Sequence, residues 1–236
     1  SNAAFNHQSI SFKETQLPLF QLKERDLIID DFLFQFQQIL ASARLPLLSQ
    51  VTIHQGDSRT CNALLSRNYD CVITSPPYPN RMSYIREVRP YMYWLGFLNE
   101  AREAGELDWQ AIGGTWGIAT SRLAEWKPGS IDICHEGFLD IIEQIRTHSP
   151  ILANYVHKYF CDIATHLASL RLVLTSGAKI FYIVGNSKFY DTIVPVELLY
   201  VSLLKQYGFS QVKSEVLRKR NSKKELYEFA VSAEWK

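Results

Sequence analysis

A short apolar run ends in a rigid polar turn in the sequence Tyr69-Asp70-Cys71-Val72-Ile73-Thr74-Ser75-Pro76-Pro77-Tyr78, and this segment is the most direct indication of the fold. The run from Tyr69 to Thr74 predicts a buried strand. The two prolines fix φ and remove two backbone N–H donors, which leaves neighbouring carbonyls to accept hydrogen bonds from a ligand. Ser75 adds an acceptor and Tyr78 an aromatic face. This combination suits the amino group of an extruded nucleobase. A proline-rich loop after a core strand is the alternative interpretation.

The composition is that of a globular protein. The 236 residues, 47% of them hydrophobic and 13% aromatic, can form one α/β domain or a domain with a large insertion. The net charge of +1 neither indicates nor excludes nucleic acid. No apolar run reaches membrane-spanning length, so no membrane association is expected. The four cysteines, which lack a CxxC pattern, predict reduced and mostly buried thiols of a cytoplasmic protein: Cys61, Cys71, Cys134 and Cys161.

The chain divides into three parts by its pattern. Residues 1–3 resemble an expression-tag remnant, and residues 4–50 form an N-terminal arm with a helix predicted over Asp26–Ala43. Residues 51–236 form the main domain, with an aromatic insertion at about 79–137 that is either functional or an accessory subdomain.

The main domain alternates strands with helices. The predicted strands are Val51–His54, Tyr69–Thr74, Lys179–Val184, Gln211–Arg218 and Glu225–Trp235. Helices are expected at Cys61–Ser66, Ile85–Leu98, Phe138–Ile145, Pro150–Leu167 and Pro195–Tyr207. This order predicts an α/β fold with a doubly wound sheet and a terminal antiparallel pair at its edge.

Three polar turns follow the first three strands: Gly56-Asp57-Ser58, the turn from Ser75 to Tyr78, and Gly185-Asn186-Ser187. Ligands of open α/β sheets bind beyond the carboxyl ends of the strands, so parallel strands would bring the three turns to one cleft. Asp57 either accepts hydrogen bonds from a cofactor or caps the next helix. Asn186 either orients a base or caps its turn.

Basic and glycine-rich segments give weaker signals. Arg81 and Arg86 follow the proline turn and are candidates for phosphate or base contacts, as is the basic segment 218–224, although such charges are usually just solvated. The segment 113–117 lacks a preceding strand and the lysine of a phosphate-binding loop, so an ordinary flexible loop is expected.

The segment Asp70 to Tyr78 resembles the catalytic motif of S-adenosylmethionine-dependent DNA amino-methyltransferases, particularly the cytosine-N4 type with its S-P-P-Y signature. Residues 179–190 and 218–227 are similar to later strands of that fold, so the resemblance covers about residues 50–236. It implies a Rossmann-like class I methyltransferase sheet, here partial, with a terminal antiparallel hairpin and a helical or loop insertion.

The resemblance also implies roles for individual residues. Ser75 and the Pro76 carbonyl would accept hydrogen bonds from the target amino group, Pro77 would keep the turn rigid, and Tyr78 would stack on the flipped base. Asp57 would contact the adenosyl part of S-adenosylmethionine. No metal and no nucleophilic cysteine are implied, so Cys61 and Cys71 are expected in the core.

The chain departs from this family in one respect. We find no F-x-G-x-G loop, which these enzymes use to hold the cofactor. A missing N-terminal segment or a separate polypeptide is therefore expected to complete the cofactor site.

Three functions remain open from the sequence. The first is a site-specific DNA cytosine-N4 methyltransferase of a restriction–modification system, which this chain alone would represent incompletely. The second is methylation of adenine N6, or of RNA, by the same chemistry. The third is a non-catalytic subunit that binds nucleic acid or a partner methylase.

Overall fold

A computed structural model describes residues 3–5, 10–12, 24–46, 49–66, 68–80, 83–115, 118–220 and 225–236. The chain forms two compact units, residues 1–53 and residues 54–236. In the first unit, strands β1 (Ala3–Phe5) and β2 (Ile10–Phe12) pair as an antiparallel hairpin, and helix α1 spans Glu24–Ala43.

The second unit carries the sheet and most of the helices. It starts with a 3₁₀ turn, Ser58–Thr60, followed by α2 (Cys61–Leu64) and β3 (Tyr69–Thr74). The described helices between β3 and the next strand are α3 (Tyr84–Trp94), α4 (Ala101–Gln110), α5 (Ile118–Glu125), α6 (Phe138–Arg146) and α7 (Pro150–Leu170). The unit ends with β4 (Leu174–Gly185), β5 (Ser187–Phe189), β6 (Thr192–Val194), α8 (Val196–Gln206), β7 (Ser210–Lys219) and β8 (Tyr227–Glu234).

The main sheet has the strand order β3-β4-β8-β7. β3 runs parallel to β4, whereas β8 is antiparallel to both of its neighbours, and β5 and β6 form a separate antiparallel hairpin. The predicted fold class is confirmed: the chain is a mixed α/β protein whose partial sheet ends in an antiparallel pair. Because β3 and β4 are parallel, the turns that follow them, Ser75–Tyr78 and Gly185–Ser187, lie at the same end of the sheet.

Helix α7 forms the centre of the core. Ser149 caps its first turn by accepting a hydrogen bond from the backbone N–H of Leu152, and Pro150 occupies the first turn without losing a needed donor. Tyr182 of β4 is fully buried and its ring contacts both His166 of α7 and Tyr200 of α8. Both helices therefore cover the same face of the sheet. The predicted doubly wound arrangement, with helices on both faces, is not seen among the described residues of this unit.

The other face of the sheet corrects two expectations: that β3 is a buried strand, since all its residues are exposed or half-buried, and that Cys71 lies in the core. Among the described residues this face is open: Cys71 is exposed, Ile73 is 77% exposed and Phe181 is 37% exposed. Cys71 is not a core residue, because side chains alternate along β3 and its position points away from α7 and α8. Cys134 is also exposed, whereas Cys61 and Cys161 are buried, and all four are free thiols.

Two further differences concern local structure. Residues 51–55 form no strand, since no described segment pairs with them. The glycine-rich turn after α4 is closely packed: a Cβ at Gly114 would lie 1.6 Å from the Asp108 carbonyl oxygen, so only glycine fits there. Trp116 and Gly117 of the same predicted loop lie outside the described residues.

Candidate active site

The Ser75–Tyr78 turn begins where β3 ends, near the carboxyl end of β4. Thr74 is paired with Tyr182, and the Ser75 hydroxyl donates a hydrogen bond to the Ile183 carbonyl at 3.3 Å. A serine hydroxyl has one proton and two lone pairs. With its proton directed at β4, the exposed Ser75 oxygen keeps acceptor capacity for a donor from solvent or a ligand.

A buried tyrosine holds the turn from the helical side. The Tyr159 hydroxyl donates to the Pro77 carbonyl at 2.8 Å and lies 3.0 Å from the Tyr200 hydroxyl. Because the single proton of Tyr159 is used on Pro77, Tyr200 must be the donor of the second bond. Burial raises the pKa of Tyr159 far above its usual value, so it stays a neutral donor.

The carbonyls of the turn consequently differ in availability. The Pro77 carbonyl is occupied by Tyr159, but among the described residues no donor reaches the Pro76 carbonyl. The glycine turn after α4 also packs here, since a Cβ at Gly113 would lie 3.7 Å from the Pro77 side chain. The turn is therefore fixed on one side and presents Ser75 and Pro76 as acceptors on the other.

The Tyr78 ring packs against the end of β4. A Cβ at Gly185 would lie 3.0 Å from two ring atoms of Tyr78 and 2.9 Å from Nη1 of Arg220, so the absent side chain permits this contact. The Arg220 guanidinium lies over the Tyr78 ring, with Cζ 5.3 Å from the ring centroid. Both side chains are half-buried and remain partly open to solvent.

Asn186 ties the β7–β8 hairpin to the same place. Its side-chain amide donates to the Glu225 carbonyl at 2.8 Å, and its side-chain oxygen accepts from the Tyr227 N–H at 2.8 Å. Its backbone carbonyl accepts from Arg220 Nη1 at 3.0 Å. Because both ends of the buried amide are engaged, the structure places Asn186 as a support of the hairpin, and a direct base contact by Asn186 stays a proposal.

Asp57 lies in a separate set of contacts. Its carboxylate accepts from the Arg59 backbone N–H at 2.8 Å, which caps the 3₁₀ turn, and pairs with the Arg59 guanidinium at 2.7 Å. The hydrogen bond from Arg59 lowers the pKa of Asp57. Arg59 also pairs with Asp162 of α7 at 2.9 Å. Of the two roles considered for Asp57, these contacts are those of a helix cap. A contact between Asp57 and a cofactor remains a proposal.

The structure thus brings together two of the three predicted turns. The Ser75–Tyr78 turn meets the Gly185–Ser187 turn, whereas Asp57 follows no strand. Arg86 lies half-buried in the first turn of α3, where its backbone N–H is bound by Ser83 Oγ at 3.0 Å. Arg81 lies outside the described residues.

The sequence did not identify Tyr159 as a site residue, and it indicated Arg220 only as a possible phosphate contact, without its contact to Tyr78. Tyr159 was one of several apolar positions in a helical stripe, and nothing in that pattern distinguishes it from an ordinary core residue. Arg220 belonged to a basic segment, and its contact with Tyr78 depends on the hairpin that Asn186 holds.

Other features of the described residues do not bear on this site. A surface cleft lined by Asp132, His135, Gly137, Phe138 and His157 contains none of the predicted site residues. No described group of three His, Cys, Asp or Glu side chains is arranged to hold a metal. No described helix has the length and hydropathy that crossing a membrane requires.

Comparison with known proteins gives distant relatives. The chain is 27% identical over 177 residues to the type II methyltransferase M.BsoBI of Geobacillus stearothermophilus, an alignment that covers 64% of this chain and 33% of the relative. It is 24% identical over 158 residues to the type II methyltransferase M.AvaI of Nostoc sp., covering 63% of this chain and 32% of that protein. The chain spans about a third of the length of these relatives. No protein-family profile and no solved structure matches it. The chain is thus distantly similar, over almost two thirds of its length, to type II methyltransferases.

Proposed function

We propose that this chain is the target-base portion of a site-specific DNA methyltransferase that transfers a methyl group from S-adenosylmethionine to the N4 amino group of cytosine. The observation that carries the proposal is the Ser75–Tyr78 turn, which is held by Tyr159 and presents two acceptors beside an aromatic ring. The similarity to type II methyltransferases supports DNA as substrate and a role in restriction–modification. The proposal also places the protein in the cytoplasm.

The acceptors explain how the turn would act on an amino group. A nucleobase amino group has two N–H bonds in the plane of the ring. If one N–H donates to Ser75 Oγ and the other to the Pro76 carbonyl, the nitrogen is held in a fixed orientation for methylation. Tyr78 would stack on the base and fix its plane. This chemistry uses no cysteine nucleophile.

The choice of cytosine N4 rests on the S-P-P-Y resemblance. An adenine N6 amino group, in DNA or RNA, has the same two N–H donors and would fit the same acceptors. The geometry of Ser75 and Pro76 therefore supports amino-group methylation, and identification of the product decides between the bases.

We propose that the described residues do not by themselves form a cofactor site. Asp57, which the resemblance assigns to S-adenosylmethionine, already has its carboxylate bound by Arg59. We propose that polypeptide beyond these residues completes the cofactor site, because β3 has a described neighbour on one side only and Ile73 is 77% exposed. Calorimetric titration of this chain with S-adenosylmethionine should show weak or no binding. Micromolar affinity for the chain alone would contradict this point.

The function is tested by the product. The intact gene that encodes this chain is expressed in a host without DNA methyltransferases, the DNA and RNA are digested, and methylated nucleosides are identified by mass spectrometry. We expect N4-methylcytosine in DNA. N6-methyladenine in DNA, or methylation confined to RNA, would replace the proposed substrate. If no methylated nucleoside is found while the protein still binds nucleic acid, a non-catalytic binding subunit would replace the enzyme.

A further inference from the structure

Arg220 occupies the part of the candidate site where a base would stack. Its guanidinium lies over the Tyr78 ring at 5.3 Å and is anchored through Nη1 to the Asn186 carbonyl at 3.0 Å. Gly185 allows both groups to approach the end of β4. The half-buried guanidinium therefore covers a ring whose proposed role is to receive a nucleobase.

The Arg220 guanidinium and a nucleobase are similar in shape, but they stack on the Tyr78 ring with different affinities. A guanidinium is flat and delocalised and stacks on aromatic rings much as a base does. A partly exposed cation–π contact contributes about two- to fivefold in affinity, whereas stacking of a base on an aromatic side chain contributes about five- to 150-fold. A base can therefore take the place of Arg220 on Tyr78.

Electrostatics also favours displacement of the Arg220 guanidinium when a base binds. The amino nitrogen becomes positively charged as it gains a methyl group, and a fixed cation beside it would oppose that change. The phosphates of the nucleic acid offer the released guanidinium a stronger partner than a ring. The position of the Arg220 guanidinium on Tyr78 is therefore favourable in the free protein and unfavourable when a nucleobase is bound.

We propose that Arg220 belongs to the base-binding site: in the free protein its guanidinium fills the stacking position on Tyr78, and an entering nucleobase displaces it. This inference rests on the proposed function, because it takes Tyr78 as the surface on which the base stacks. It adds that Arg220 competes with a nucleobase for the Tyr78 ring and so weakens binding of the isolated base.

The test is titration of this chain with deoxycytidine, a nucleoside without phosphate, followed by NMR. We expect Arg220→Ala and Arg220→Gln to bind deoxycytidine about two- to fivefold more tightly than the unmodified chain, which is the contribution of one partly exposed cation–π contact. Lys213→Ala is the matched control, since Lys213 is an exposed cation of β7 outside the site, and its affinity should not change. Tyr78→Leu should bind more weakly.

A second measurement follows Arg220 itself. Its side-chain N–H resonance, assigned by its absence in Arg220→Ala, should move on saturation with deoxycytidine towards the position it has in Tyr78→Leu. Equal or weaker binding by both Arg220 variants, or a resonance that stays in its stacked position at saturation, would overturn the inference and leave the Tyr78 site intact. Unchanged binding by Tyr78→Leu would instead overturn the base site of the proposed function.

Discussion

Replacing Tyr159 with phenylalanine tests whether this residue holds the Ser75–Tyr78 turn. The change removes one hydroxyl from a side chain that is 1% exposed and keeps the ring. It deletes the hydrogen bond to the Pro77 carbonyl and leaves the Tyr200 hydroxyl, which is fully buried, without its acceptor. Two lost bonds at about 1 kcal/mol each, together with a cost of about 1–3 kcal/mol for an unsatisfied buried hydroxyl, give a loss of about 3–5 kcal/mol in the free energy of unfolding.

Tyr200→Phe is the matched control. It removes the bond between the two tyrosines but leaves Tyr159 bonded to Pro77, so a loss of only about 1 kcal/mol is expected. Equilibrium unfolding in urea distinguishes the two variants, since a slope of about 2 kcal/mol/M converts these losses into midpoint shifts of about 1.5–2.5 M for Tyr159→Phe and about 0.5 M for Tyr200→Phe. Equal shifts for both variants would refute the claim that the bond from Tyr159 to Pro77 fixes the turn.

Three further predictions concern the residues around the turn. Gly185→Ala should weaken deoxycytidine binding, because the new Cβ would force the Tyr78 ring or its neighbour to move; unchanged affinity would show that the close packing is unimportant. Asn186→Ala should cost about 1–3 kcal/mol and speed hydrogen exchange in β8, since two hydrogen bonds to the hairpin are lost; exchange at the unmodified rate would exclude this supporting role. Burial lowers the pKa of His166, so the unfolded chain binds the proton more readily, and the unfolding free energy should fall as the pH drops below about 6.5. His166→Gln should reduce this dependence of the unfolding free energy on pH, as measured by urea titrations at several pH values. An unchanged dependence would exclude His166 as its cause.

Local patterns in the sequence were enough to locate most elements of the second unit. The strand Tyr69–Thr74 was predicted with its observed bounds, and the helix that starts at Pro150 was predicted from its capping serine and proline. These signals lie within a few residues of each other along the chain. The strand predicted at residues 51–54 was wrong because strand formation depends on a hydrogen-bonding neighbour, which periodicity does not reveal.

The candidate site was predicted only in part, for the same reason. The residues of the Ser75–Tyr78 turn are consecutive, so their acceptors and ring could be recognised together. The bond from Tyr159 to Pro77 spans 82 residues, and the contact between Arg220 and Tyr78 depends on how the β7–β8 hairpin folds back. Such contacts are set by tertiary packing. The exposure of a side chain also depends on tertiary packing. The local sequence therefore did not reveal that Cys71 lies on an open face of the sheet.

In the proposed reaction Ser75 accepts a hydrogen bond from the amino group that is methylated. Ser75→Ala in the intact methyltransferase tests it most directly, with Ser232→Ala of β8 as a control outside the site. The measurement compares the turnover number for methyl transfer with the affinity for S-adenosylmethionine. Loss of one orienting hydrogen bond should lower turnover by about tenfold or more while cofactor affinity stays the same. Unchanged turnover in Ser75→Ala would show that Ser75 takes no part in methyl transfer.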